Sequence, residues 1–147
     1  MSIAERIRQD MTAAMKERDR ERVGALRMLG AALKNGEIEA GRPLTEDEAQ
    51  VILRRQLKQR EESAEAFRSA GREEQAASES AEAEIVREYL PEPLSPEELE
   101  QIVDRAMQET GATGIRDMGA VMGRATALAE GRAEGRELAA MVRGRLQ

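Results

Sequence analysis

The sequence predicts an all-α protein, and three observations support this prediction. Alanine, glutamate, arginine and leucine dominate, which are strong helix formers, and runs of β-branched residues are nearly absent. Apolar residues recur every three or four positions over most of the chain. A serine or threonine with glutamate three residues later, at Ser2, Thr45 and Ser95, is typical of a helix start. We expect an N-terminal helical domain with a long helical hairpin, followed by a small C-terminal three-helix domain.

The composition limits both the core and the kind of partner. Phe67 and Tyr89 are the only aromatic residues among 147, so aliphatic side chains must fill the space between helices. The formal net charge of −6 argues against a surface that attracts nucleic acid everywhere, and any such attraction must come from a local patch. Within residues 111–147 basic residues slightly outnumber acidic ones, which makes the end of the chain a place to look for such a patch.

Histidine and cysteine are both absent. Disulfides, thiolate metal sites and nucleophilic catalysis that relies on histidine are therefore excluded, and we expect no metal or other cofactor. Adjacent glutamates at 61–62, 73–74 and 97–98 are interpreted as exposed helix positions rather than as an acid–base pair. No apolar run has the length of a membrane span, and residues 1–11 carry charges where a signal peptide would be apolar, so we expect a cytoplasmic protein.

The first 90 residues predict four helices. The first follows Ser2, and the second ends at Asn35-Gly36, after which residues 37–48 form a connection. The third runs from Thr45 to Gly71, and the fourth covers residues 72–90 and folds back on it through small side chains. The expected inward positions of the first two helices are Ile3, Ile7, Met11, Met15, Val23, Leu26, Leu29 (or Met28) and Leu33; those of the hairpin are Ile52, Leu53, Leu57, Ala64, Phe67, Ala76, Ala77, Ser80, Ala83, Ile85, Val86, Tyr89 and Leu90.

Two prolines predict the boundary between the domains. Pro91 and Pro93 each disfavour helical backbone at the preceding residue, and Ser95-Pro96 starts a new helix. We therefore expect domains at residues 1–92 and 93–147. The second should contain one helix after Ser95, a short helix at about 117–128 and a last helix at about 133–146.

The segment "DMGAVMGRATALAEGRAEG", residues 117–135, concentrates glycines and allows three interpretations. A phosphate-binding loop would need a preceding strand and a lysine after the glycines, and neither is present. A membrane GxxxG face would need a long apolar segment, which is also missing. The remaining interpretation is close helix packing and helix breaks. The residues involved would be Met118, Gly119, Met122 and Gly123 in a packed helix, with Gly131 and Gly135 on either side of a turn between helices.

Two groups of basic residues are candidates for contact with RNA. Arg54, Arg55, Lys58 and Arg60 lie on the long third helix, where a solvated face is the simpler interpretation. The last 24 residues contain five arginines and no lysine. The candidate phosphate contacts are Arg124, Arg132, Arg136 and Arg143. Because stacking aromatic residues are missing, RNA would be recognised through its shape and backbone.

Four stretches resemble the YqeY-like family. They are "LRMLGAALKNGEIE", "LKQREESAEAFRSAGREE", "EAEIVREYLPEPLSPEELEQIV" and "GIRDMGAVMGR" followed by "EGRAEG", in this order along the chain. The C-terminal part is similar to the tail domain of the GatB subunit of tRNA-dependent amidotransferases. This resemblance implies an all-helical protein and a tRNA-binding appendage. It also implies the family label of a carbon–nitrogen ligase that uses glutamine as amido donor.

The resemblance and the composition together predict that this is a non-catalytic tRNA- or RNA-associated protein. The domains that perform amide transfer in the larger enzyme have no counterpart in this chain, so we do not expect it to be an enzyme by itself. Its partners would be tRNA and a protein of the aminoacylation or amidation machinery, with no membrane or metal involved. The alternative is a protein–protein adaptor that presents the helical hairpin to a partner.

Overall fold

The protein is all-α, as predicted. The computed structural model describes residues 1–147 and contains seven helices and no strand. The helices are α1 (Ile3–Lys16), α2 (Arg20–Ala40), α3 (Glu46–Ser69), α4 (Glu73–Arg87), α5 (Pro96–Thr110), α6 (Met118–Ala129) and α7 (Gly135–Leu146). The chain divides into two compact units, Met1–Pro91 and Glu92–Gln147. That residues 1–92 and 93–147 are separate domains stays a prediction.

The first unit is built around α2, which contacts α1, α3 and α4. Leu26 and Leu29 of α2 are fully buried and pack with Ile7 of α1, Leu53 of α3 and Val86 near the end of α4. These residues form one aliphatic cluster, and burying each such side chain contributes about 1.5–3 kcal/mol relative to leaving it in water. The predicted use of aliphatic side chains for this core is confirmed.

The inward face of α1 differs from the prediction at one position. Met15 is 55% exposed, and Ala14 is buried instead. A strict spacing of four residues advances about 40° around a helix at each step, since 3.6 residues make one turn. Met15 has therefore moved away from the face that Ile3 and Ile7 define.

The predicted end of α2 at Asn35-Gly36 is wrong. The helix continues to Ala40, and Gly41 ends it in the left-handed conformation, with its N–H donated to the Glu37 carbonyl at 2.9 Å. Gly36 instead lies where the helix meets Leu44 and Ile52, and a Cβ at this position would overlap the Ile52 Cδ1 atom. The glycine is a packing position inside the helix rather than a helix stop.

The hairpin of α3 and α4 is confirmed. Small side chains fill its seam, since Ala64 of α3 and Ala76 and Ala83 of α4 are buried. Arg60 of α3 lies 3.4 Å from Glu79 and 3.5 Å from Glu82 of α4, which ties the two helices together. The fourth helix ends at Arg87, before the predicted residue 90, and Ala77 is exposed rather than inward.

Tyr89 joins α1 to the chain that follows α4. Its ring is 3% exposed, its hydroxyl donates to the Asp10 carboxylate, and the Arg6 guanidinium lies 5.0 Å from the ring centre. Beside it, Arg22 of α2 forms an ion pair of 2.8 Å with Glu88. Burial and the Asp10 carboxylate raise the pKa of the Tyr89 hydroxyl above its ordinary value. The only tyrosine is thus a structural anchor that stays protonated.

The second unit is a three-helix unit with its own core. Val103 of α5, Val121 and Ala125 of α6, and Leu138 and Val142 of α7 are all buried in it. A single 3-10 turn at Ile115–Asp117 precedes α6. The last helix begins at Gly135 rather than at about 133. This unit contains every residue of the glycine-rich segment and all the candidate phosphate contacts.

Candidate nucleic-acid interface

The glycines of residues 117–135 divide into two groups. A Cβ added to Gly119 or Gly123 would meet no atom within 4 Å, and both residues are exposed, so their predicted role in close packing is wrong. Gly135 begins α7 and, with Gly131, brackets the predicted break between helices. Met118 and Met122, on the other side of α6, do pack against the core of the second unit.

The break between α6 and α7 depends on two consecutive left-handed residues. Glu130 has φ +51° and Gly131 has φ +77°, and Gly131 is buried. Only glycine adopts such a conformation without steric cost, and a non-glycine residue before it adds strain. Gly131 is thus required by the turn, and the arginines that follow it are placed by this turn and by α7.

Three of the C-terminal arginines are held by partners within the second unit. Arg124 donates to the Glu109 carboxylate, which also accepts from Arg105 at 2.9 Å. Arg132 donates from Nε to the Glu92 carbonyl at 2.9 Å. The third, Arg145, forms an ion pair with an aspartate of α5. These guanidinium groups would have to give up an internal partner to bind a phosphate fully.

Glu109 is paired with two arginines, which changes the pKa of the groups involved. Arg124 and Arg105 together hold the pKa of Glu109 below its ordinary value, and Glu109 raises the pKa of Arg124. The pairing of Arg105 with Glu109 follows a spacing of four residues on one helix and could have been found in the sequence. Arg124 is fifteen residues from Glu109, and no local pattern predicts that contact.

Arg136 and Arg143 are different because both are exposed and neither takes part in an ion pair. They are seven residues apart on α7, so they point in nearly the same direction and lie about 10.5 Å apart along the axis. Ala140 lies between them on the same exposed face, while Leu138 and Val142 are buried on the other. This face of α7 presents two guanidinium groups to solvent with no bulky side chain between them.

Asp117 holds the loop before α6, a structural role that sequence reasoning missed. Its carboxylate accepts the backbone N–H groups of Thr113 at 2.9 Å and Gly114 at 3.2 Å, and these bonds lower its pKa. They fix the loop that leads into α6. An aspartate a few residues after a "TG" turn was the available signal, since aspartate commonly bonds nearby backbone groups in turns.

The basic residues of α3 serve the fold of the first unit. Arg54 is 8% exposed and donates to the Pro91 carbonyl at 3.2 Å, and Arg60 lies between two glutamates of α4. Arg55 and Lys58 are exposed. No group of three or more acidic side chains is arranged to hold a metal ion. None of the helices is both long and apolar enough to cross a membrane.

The fold defines a small all-α protein, and the exposed arginines of α7 are its candidate site. Comparison with known families identifies the family of this chain. The family described as "Yqey-like protein" matches residues 4–146, and the chain belongs to this family. It is also similar to "Altered inheritance of mitochondria protein 41, mitochondrial" of Pyrenophora tritici-repentis, with 28% identity over 131 residues, which cover 87% of this chain and 71% of that protein.

Proposed function

We propose that the protein binds RNA through the solvent face of α7, with tRNA as the first RNA to test. The observation that carries this proposal is the pair of exposed arginines, Arg136 and Arg143, on one face of α7 in an otherwise acidic protein. Guanidinium groups bind phosphates in bidentate geometry, and phosphate contacts supply most of the affinity of such complexes. The resemblance of the C-terminal part to the GatB tail domain supports the choice of tRNA.

The proposed role is non-catalytic, beside an enzyme of the aminoacylation or amidation machinery. Without histidine and cysteine, the usual general base and thiol nucleophile are not available to this chain. We therefore propose that the label of a glutamine-dependent carbon–nitrogen ligase belongs to a partner enzyme. Release of ammonia from glutamine by the purified protein would contradict this. The cytoplasm is the proposed compartment.

A tRNA titration at two salt concentrations tests the RNA proposal. The variant Arg136→Gln/Arg143→Gln should bind more weakly than the wild type, and the slope of log K against log salt should fall by about two, or about one for each lost phosphate contact. The matched control is Arg8→Gln/Arg72→Gln, which removes the same charge from exposed positions of the first unit. Equal losses in both variants, or no binding by the wild type, would rule the proposal out.

The adaptor function is a second proposal, and the position of Phe67 favours it. This side chain lies near the end of α3, beyond the buried Ala64, and is only partly buried. An aromatic group at such a position can enter a pocket on a partner. If the hairpin binds a protein, Phe67→Ala should abolish stoichiometric recovery of that protein from cells while tRNA binding is unchanged. Recovery that does not depend on Phe67 would exclude this surface.

A further inference from the structure

The solvent face of α2 carries a row of three basic residues, Arg20, Arg27 and Lys34, which we call the α2 stripe. All three are exposed. They follow one another at intervals of seven residues, so their directions differ by only about 20° per step and the row is about 21 Å long. The buried residues of the same helix, Leu26, Leu29 and Leu33 among them, lie on the opposite side. The stripe is therefore the part of α2 that points furthest from the core of its unit.

The stripe itself contains only basic side chains, and Gly24 and Ala31 are the exposed residues between them on the same face of α2. Acidic groups lie at its two ends: the Glu37 carboxylate is 4.0 Å from the Lys34 ammonium, and the exposed Asp19 and Glu21 flank Arg20 in the sequence. Some other exposed faces of this protein are mostly acidic. Those of α5, for example, carry one basic residue, Arg105, against the acidic residues Glu97, Glu98, Glu100, Asp104 and Glu109.

Helix stability does not explain the charges of α2. The positive end of the helix dipole favours acidic side chains in the first turn, yet Arg20 is the first residue of the helix. The negative end favours basic side chains, yet the last turn contains Glu37 and Glu39 and no basic residue. Glu21 in the first turn and the N-cap Asp19, whose carboxylate accepts the Arg22 N–H, agree with the dipole. The helix dipole therefore gives no reason for a basic residue at Arg20, and a contact outside the chain would give one.

The surface between the basic residues of the stripe suits a large and rigid anion. A Cβ at Gly24 would meet no atom within 4 Å, so no side chain bulk rises beside Arg20 and Arg27. The aromatic residues that would stack on single-stranded bases are absent from this face, because Tyr89 is buried and Phe67 lies on α3. A membrane-binding helix would need a broad apolar face, and Ile38 is the one large exposed apolar residue on this side of α2.

We propose that the α2 stripe is a second RNA contact, which binds the phosphate backbone of a double-stranded RNA arm. Backbone and shape dominate the recognition of double-stranded RNA, and a straight row of cations matches a regular row of phosphates better than a compact cluster would. The proposal rests on the proposed RNA function and adds a surface in the first unit to the α7 face.

The test compares four full-length proteins in tRNA binding at two salt concentrations. They are the wild type, the stripe variant Arg20→Gln/Arg27→Gln/Lys34→Gln, the α7 variant Arg136→Gln/Arg143→Gln, and a control, Arg8→Gln/Arg72→Gln/Arg116→Gln. The control removes three exposed positive charges that lie off the stripe. Circular dichroism and thermal unfolding establish that each variant is folded. Vesicles that contain an anionic lipid are titrated in parallel.

We expect the stripe variant to bind tRNA at least about tenfold more weakly at low salt and to lower the salt slope by about three, whereas the control keeps both values close to those of the wild type. Arg27→Gln alone should lower the slope by about one, which keeps the test valid if the triple variant is unstable. Equal losses in the control and the stripe variant would overturn the proposal, because total charge would then explain binding.

The remaining outcomes separate this inference from the proposed function. If the wild type does not bind tRNA, both fail. If the α7 variant binds weakly and the stripe variant normally, only the stripe fails. If the stripe variant binds weakly and the α7 variant normally, the stripe stands and the assignment to α7 fails. If the stripe variant loses affinity for vesicles and keeps its affinity for tRNA, the stripe binds a lipid surface and the inference is overturned.

Discussion

Individual charged and polar side chains in this protein mostly serve contacts that the sequence does not reveal. Two of the four arginines predicted as phosphate contacts, Arg124 and Arg132, have internal partners, and two, Arg136 and Arg143, have none. The sequence could supply the candidates because an excess of arginine is visible in it. The sequence could not show which of these arginines have internal partners. The partners Glu109 and Glu92 lie far away along the chain and are brought near only by folding.

Tyr89 provides a test at this scale. Tyr89→Phe keeps the ring beneath Arg6 and removes the hydroxyl that donates to Asp10, so the free energy of unfolding should fall by about 1 kcal/mol in urea titrations. The control Glu88→Gln weakens a more exposed ion pair and should change stability by less than about 0.5 kcal/mol. An unchanged stability of Tyr89→Phe would mean that the bond to Asp10 contributes nothing.

The same residue predicts a dependence on alkaline pH. The pKa of Tyr89 is higher in the folded than in the unfolded chain, so at pH above about 10 the unfolded chain releases a proton that the folded chain retains. Stability should therefore fall as pH rises through this range, and Tyr89→Phe should remove that part of the fall. Tyrosinate absorbance measures the titration directly, since no other tyrosine is present.

At the scale of helices, the sequence predicted where a helix begins better than where it ends or what its interior residues do. The three predicted helix starts, at Ser2, Thr45 and Ser95, all form capping boxes. In each, the hydroxyl accepts the N–H of the glutamate three residues later. These bonds are local, so a four-residue pattern contains the whole interaction. The role of Gly36 depends on Leu44 and Ile52, which reach it across the fold, and the pattern around Gly36 alone predicted a helix end.

The glycines of α2 allow a matched test of this difference. Alanine is favoured over glycine inside a helix by about 1 kcal/mol, and Gly24 and Gly30 have open space around them, so Gly24→Ala and Gly30→Ala should each stabilise the protein by up to this amount. Gly36→Ala should stabilise the protein less than these two variants, or destabilise it, because Ile52 must move to admit the new methyl group. Urea midpoints measure all three. An equal gain at Gly36 would show that the contact with Ile52 is easily relaxed.

For the whole molecule, the central observation is that each unit has a core of its own. The apolar cluster of the first unit contains residues of 3–90, and that of the second contains residues of 94–146. Pro91 and Pro93 marked this region in the sequence because proline restricts the residue before it. What the sequence could not provide is which aliphatic residues meet, because most positions of a helix with many alanines are compatible with either face.

Independent folding of the second unit follows as a prediction. A fragment of residues 92–147 retains the complete cluster around Val103 and Val142 and the cap at Ser95, so it should show helical circular dichroism and a cooperative thermal transition. Its small size limits the stability to the lower end of the usual range. Val142→Ala in the fragment is the control and should abolish or strongly lower the transition. A fragment without cooperative unfolding would contradict the division at Pro91.

The alanine seam between α3 and α4 has a consequence for motion. Opening the hairpin near Gly71 exposes little apolar surface, because Ala64 and Ala76 bury only one methyl group each, whereas opening near Leu53 and Val86 exposes the aliphatic cluster of the first unit. Amide hydrogens near the tip should therefore exchange with deuterium through local openings that depend weakly on denaturant, and those near Leu53 only through global unfolding. The tip of the hairpin can thus separate and close again while the rest of its unit stays folded.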